Sequence, residues 1–307
     1  MTPSNPLRDE SGSTPLESTA HIMNRISSQL GNQLTLVSLD GRRRTAPAPA
    51  SASAPDLVVV GHGSRDPRAL ATVTELLERV RELRPGLTVR LGHIELNEPL
   101  LTDTLAAATG SAVLVPLLLG RGYHVKHDIP EAAAAAPHLD TRVAAPLGPH
   151  PLLVDALHER LVDAGWPDRL GRAGRRTAGV VLAAAGSRDP DSATDTRRTA
   201  DLLAQRLGVP VVPAYASTTA ASVLSVPAAV RALAARGRHR TAVASYFTAP
   251  GRFATQCADA APWIASAPLG AHRAMARLLL HRYDQARTDA TATTAATLVP
   301  PRQLTSA

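Results

Sequence analysis

From about residue 57 onward, short apolar runs alternate with longer stretches in which apolar positions recur every three or four residues. The run Leu57–Val60 reads as a buried strand. The stretch after it places Leu70, Val73, Leu76, Leu77, Val80 and Leu83 on one helical face before Pro85-Gly86 stops it. The same reading predicts strands at 88–91, at 112–118 and near Val143. It predicts helices after Pro99, after Pro130 and over Pro151–Ala164. Strands that alternate with amphipathic helices need right-handed crossovers, which predicts a mostly parallel sheet with helices on both faces.

The pattern then repeats. Gly63-Ser64-Arg65-Asp66-Pro67 recurs as Gly186-Ser187-Arg188-Asp189-Pro190, 123 residues later, and Pro146-Leu147-Gly148 recurs as Pro268-Leu269-Gly270 at nearly the same offset. Two identical words at one spacing point to an internal duplication. The fold class expected is α/β, with two tandem similar lobes and a cleft between them. Lobes are expected over 56–165 and 178–287, joined by a Gly-, Pro- and Arg-rich linker over 166–177. Residues 1–55 are rich in Ser, Thr, Pro and Ala and are expected to be disordered, with a possible short helix over His21–Val37; a loose tail is expected over 288–307.

Composition narrows the function classes. The net charge of +7 is almost all arginine, since Lys126 is the single lysine, and aromatic residues make up 3% of the chain. Scattered arginines without aromatic platforms do not make a nucleic-acid binder. Cys257 is the only cysteine, which excludes an intrachain disulfide and fits a reducing cytoplasm. No uninterrupted apolar run reaches the ~18 residues of a membrane span. A cytoplasmic protein with no nucleic-acid or membrane partner is expected.

In an open α/β sheet, ligands bind beyond the carboxyl ends of the strands. There the first copy places His62 after its first strand, Glu95 after its second and His124 after its third. Two imidazoles and a carboxylate are a borderline ligand set for Fe(II), Co(II), Ni(II) or Zn(II), and they leave coordination positions open. Gly61, Gly63, Gly120 and Gly122 lie near the two histidines and allow a large ligand close to the backbone. Ser64 is read as opening a helix whose free N–H groups favour an anion. Asp128, four residues past His124, either caps the next helix, the commoner role, or orients an imidazole from behind. The second copy has Ala184-Ala185-Gly186 where the first has Gly61-His62-Gly63. It has no carboxylate at Tyr215-Ala216-Ser217, and Phe253 stands where His124 did. One half therefore supplies chemistry and the other a wall of the cleft.

His-Gly-Ser-Arg at 62–65, Ile-Glu-Leu-Asn-Glu-Pro at 94–99, Val-Pro-Leu-Leu-Leu at 115–119 and Gly-Tyr-His-Val-Lys-His-Asp-Ile-Pro at 122–130 together resemble the sirohydrochlorin chelatases of the CbiX/SirB type, in particular their long, two-copy form. The resemblance is specific over 57–160 and weaker over 178–284. His93 departs from it, standing where an aromatic residue is common. The resemblance implies insertion of a divalent metal, Fe2+, Co2+ or Ni2+, into sirohydrochlorin, with the metal as a substrate and no prosthetic group. It places the metal site on His62, His124 and Glu95 and implies a monomer that imitates a dimer within one chain. The substrate carries eight carboxylates, so Ser64, Arg65, Arg121, Gly122, Tyr123, Lys126 and Arg252 are candidate contacts. A carrier that binds metal or tetrapyrrole without turnover would keep the same residues.

Overall fold

The computed structural model describes residues 54–217 and 224–297. The disorder expected before residue 54, with its possible helix at His21–Val37, lies outside the described residues, as does the end of the tail.

The first lobe runs β1 (Asp56–Gly61), α1 (Pro67–Leu83), β2 (Val89–His93), α2 (Leu101–Ala106), β3 (Ser111–Pro116), α3 (Tyr123–Lys126), α4 (Asp128–Ala134), β4 (Asp140–Val143) and α5 (Pro151–Asp163). A short α6 (Arg172–Thr177) leads into the second lobe. That lobe comprises β5 (Ala178–Ala184), α7 (Pro190–Leu207), β6 (Val211–Tyr215), α8 (Val226–Ala234), β7 (Arg240–Ser245), α9 (Arg252–Asp259), β8 (Ile264–Ala265) and α10 (Arg273–Thr297). Each lobe holds a four-stranded sheet, in the orders β2-β1-β3-β4 and β6-β5-β7-β8, and every pairing is parallel.

Alternation along the strands divides the core into three parts. In β1, Leu57 and Val59 face one way and Val58 and Val60 the other, all fully buried. Val58, Val60 and Leu114 pack against Leu101 and Leu105 of α2 and Ile129 of α4. On the second sheet, Val181, Ala183 and Val243 pack against Val226 and Leu233 of α8 and Cys257 of α9. The remaining faces of both sheets share one continuous core with α1, α5, α7 and α10. Burial on both faces is why these strands read as unbroken apolar runs.

The last helix of each copy packs on the opposite lobe: α5 lies against α7 and β7, and α10 against α1 and β3. Polar contacts fix the exchange. Arg84 pairs with Asp284 at 2.6 Å, His272 meets Glu159 at 3.0 Å, and the Tyr283 hydroxyl donates to the Pro55 carbonyl. Two features add to the expected domain plan. The linker is partly helical, and its Trp166 is buried against Trp263, ring centroids 5.5 Å apart. Helix α10 continues past Thr288 to Thr297, because the small Ala and Thr residues there do not break a helix already anchored by its apolar first half.

Candidate metal and tetrapyrrole site

A cleft of about 1490 Å³ opens between the carboxyl ends of the two sheets. It exceeds the roughly 300–1,000 Å³ of a drug-sized ligand pocket. Residues 61–65, 117–120 and 122–125 line it from the first lobe, and 184–187 and 246–256 from the second.

His62 follows β1 directly. Its Nε2 stands 3.6 Å from Glu95 Oε1, and its ring meets that of His124 edge-on with centroids 4.8 Å apart. The loops after β1 and β2 are locked together: Glu95 N donates to the His62 carbonyl, and Ser64 N donates to Asn97 Oδ1 at 2.6 Å. Gly63 makes this possible. Its φ is 101°, and a Cβ there would lie 1.8 Å from the Glu95 carbonyl oxygen. Leu96, at φ 68°, takes the same left-handed conformation without being glycine and lines the cleft half-exposed.

His62 thus stands beside both other candidate ligands. Among the described residues, however, no group of three His, Cys, Asp or Glu is gathered closely enough to hold a metal ion as it stands. The arrangement is two adjacent pairs that share one imidazole, which is an open donor set.

Asp128 resolves the choice left by the sequence. It is the first residue of α4, whose cap position is His127, so it does not cap. Its carboxylate instead accepts a hydrogen bond from His124 Nδ1. An ionised carboxylate only accepts, so Nδ1 is the donor, and in the neutral imidazole Nε2 is then the nitrogen with the lone pair.

Several other expectations change. Ser64 does not open a helix: α1 starts at Pro67 and is capped by Asp66, which takes the Arg68 N–H. Arg121 and Lys126 do not line the cleft. Arg121 donates through Nε and Nη2 to Asp195, and Lys126 reaches both Asp189 and Asp191 at 2.8 Å, all in the second lobe. Arg65 and Arg252 remain as cleft arginines free of ion pairs among the described residues, Arg252 stacking over Phe253. Gly122 and Tyr123 line the cleft, and the Tyr123 ring is exposed beside that of His127. His93 is buried under Gly61, its Nδ1 3.2 Å from the Pro99 carbonyl. The three second-lobe aspartates were not singled out from the sequence. Laying one copy on the other at the 123-residue offset would have flagged two of them, since Asp191 replaces Arg68 and Asp195 replaces Thr72.

A duplicated, all-parallel α/β chain of this strand order, its two copies closed on a common cleft, is a chelatase-like protein. The chain belongs to the CbiX family, whose family model matches residues 56–164 and again 179–286. It is 33% identical over 169 residues to sirohydrochlorin ferrochelatase of Bacillus subtilis (strain 168), covering 52% of this chain and 62% of the relative. It is 38% identical over 88 residues to sirohydrochlorin cobaltochelatase of Methanopyrus kandleri, covering 27% of this chain and again 62% of the relative. Each match thus spans less than two thirds of the relative's length. In fold it resembles SirB from Bacillus subtilis with Fe3+, with a TM-score of 0.63 and 24% identity over 78% of this chain and 97% of that one.

Proposed function

We propose that this chain inserts a divalent metal, Fe2+ or Co2+, into sirohydrochlorin, serving sirohaem or cobalamin synthesis. The observation that carries the reading is the position of His62, which lines a cleft large enough for a tetrapyrrole together with His124 and stands 3.6 Å from Glu95, itself just outside the lining. The names of the curated relatives support the same substrate.

The reaction exchanges two pyrrole N–H protons for one metal ion. The ion must shed water before the macrocycle takes it, so the site should hold it weakly and leave positions open. The bare Nε2 of His124 and the imidazole of His62 suit that task. Glu95, beside His62, offsets the ion's charge and takes a leaving proton to solvent. Apolar groups such as Leu96, Leu118 and Phe253 on the cleft walls face the macrocycle plane, and Arg65 and Arg252 meet its carboxylates. One chain holds both walls, so a monomer suffices. Among the described residues no helix is long and apolar enough to cross a membrane.

The test is anaerobic visible absorbance with sirohydrochlorin in excess over protein and Fe2+, Co2+ or Ni2+ supplied in turn. Many insertions per chain with at least one metal are expected. A single stoichiometric change would identify a carrier and overturn the reading.

A further inference from the structure

The second lobe touches the His124 loop at several points, and they flank that residue. On the near side, the Tyr246 hydroxyl donates to the Leu119 carbonyl at 3.0 Å. Asp195, 1% exposed, accepts from the backbone N, Nε and Nη2 of Arg121. On the far side, Lys126 bridges Asp189 and Asp191. The approach is close: a Cβ on Gly120 would be in van der Waals contact with Asp195 Cβ at 3.4 Å, and one on Gly122 with Ser187 Oγ at 3.5 Å.

The arrangement is one-sided. In the first copy Arg68 folds back onto its own Asp66, through Nε at 3.1 Å and Nη2 at 2.7 Å. In the second copy the position of Arg68 is Asp191, so the capping carboxylate of Asp189 is free to meet Lys126. In the other direction, the loop that corresponds to the His124 loop offers Pro250 and Thr255 where the first has Arg121 and Lys126. Among the described residues no ion pair joins that loop to α1. Two identical copies would hold both loops alike; this chain holds only the loop that carries an imidazole.

We propose that Asp189, Asp191 and Asp195 of the second lobe are positioning residues for His124, so that the copy without ligands sets the geometry of the site in the other copy. The inference rests on the reading that His124 receives the incoming ion. Burial pushes the Asp195 carboxyl up, but its bonds from Arg121 outweigh that and leave it below the ordinary carboxylate range. Asp189 is likewise lowered, first by its bond from Lys126. Asp195 and Asp189 therefore stay ionised near neutral pH and keep their bonds to Arg121 and Lys126. Among the described residues no ion pair closes the opposite flank, between α1 and α9.

The test compares Asp195→Asn, Lys126→Met and Lys126→Arg in the full chain. It measures kcat and KM for sirohydrochlorin, binding of Co2+ alone by visible absorbance, and the thermal midpoint. Asp195→Asn and Lys126→Met are each expected to lower kcat about tenfold with KM changed less than about twofold. Co2+ binding should weaken about tenfold, at the lower end of the range seen when groups behind a metal ligand are removed. Lys126→Arg should recover most of what Lys126→Met loses. If KM rises while kcat holds, Arg121 and Lys126 are substrate contacts and the inference falls. Unchanged Co2+ binding and kcat with a lowered thermal midpoint would reduce the ion pairs to interlobe stability, with the same result. Asp195 is buried, and should its variant fail to fold, Lys126 at the half-exposed edge still decides. If wild type shows no turnover, the proposed function fails while the Co2+ titration continues to test the clamp.

Discussion

At the scale of single residues, the site depends on backbone positions as much as on ligands. The bond from His124 Nδ1 fixes which nitrogen can bind an ion, so Asp128→Asn is expected to lower turnover about 10- to 100-fold with little change in thermal midpoint. A loss of folding in parallel with activity would refute that role. Leu96 holds a left-handed conformation that costs a non-glycine residue on the order of 1 kcal/mol, and it spends that strain on an aliphatic face in the cleft. Leu96→Gly should therefore be neutral or slightly stabilising in denaturant unfolding while raising KM for the tetrapyrrole; an unchanged KM would show that the side chain is not used. The three candidate ligands were legible because each follows a strand in the first copy and is missing from the second. The job of Asp128 was not legible, since a residue four places past a histidine and next to a helix fits two roles that only the backbone path separates.

At the scale of elements, periodicity located the four strands of the first lobe and each of its helices except α3, with boundaries moved by a few residues at most, while the second lobe was read from the repeated words alone. What it did not convey was how the ends are satisfied. His150 caps α5 by accepting the Leu152 N–H on Nδ1 at 3.1 Å, and burial pushes its imidazole down to about 4. Folding thus favours the neutral ring. As pH falls, the unfolded chain takes up this proton first, near its ordinary value of 6.5, so the contribution is complete above that value and is lost between about 6.5 and about 4. His158, also lowered chiefly by burial, acts in the same sense. His150→Asn keeps a capping side chain that does not titrate. Urea midpoints at neutral pH and at about pH 4.5 should differ less in the variant than in wild type. Equal differences in the two proteins would contradict this origin of acid sensitivity.

At the scale of the whole molecule, the duplicated words announced two lobes but not how deeply they merge. Sheets, crossovers and the cleft follow from apolar patterning within each copy. The exchange of α5 and α10, and the clamp on the His124 loop, depend on which copy faces which, and no periodicity encodes that. Because one core runs through both lobes, the described region should unfold in a single transition by calorimetry. Two resolved transitions would show that the lobes are separate stability units. The first copy alone should not yield a stable monomer, since α5 would lose α7 and β7 and the sheet would lose α10.

The central claim is that one ion is handed to the macrocycle by side chains of the first lobe only. It is tested most directly by initial insertion rates of wild type, His62→Ala and His124→Ala under identical anaerobic conditions. Each variant is expected to fold normally and to lose at least about 100-fold in rate, consistent with removal of a group that meets the reacting ion. Near-wild-type rates in either variant would contradict the account.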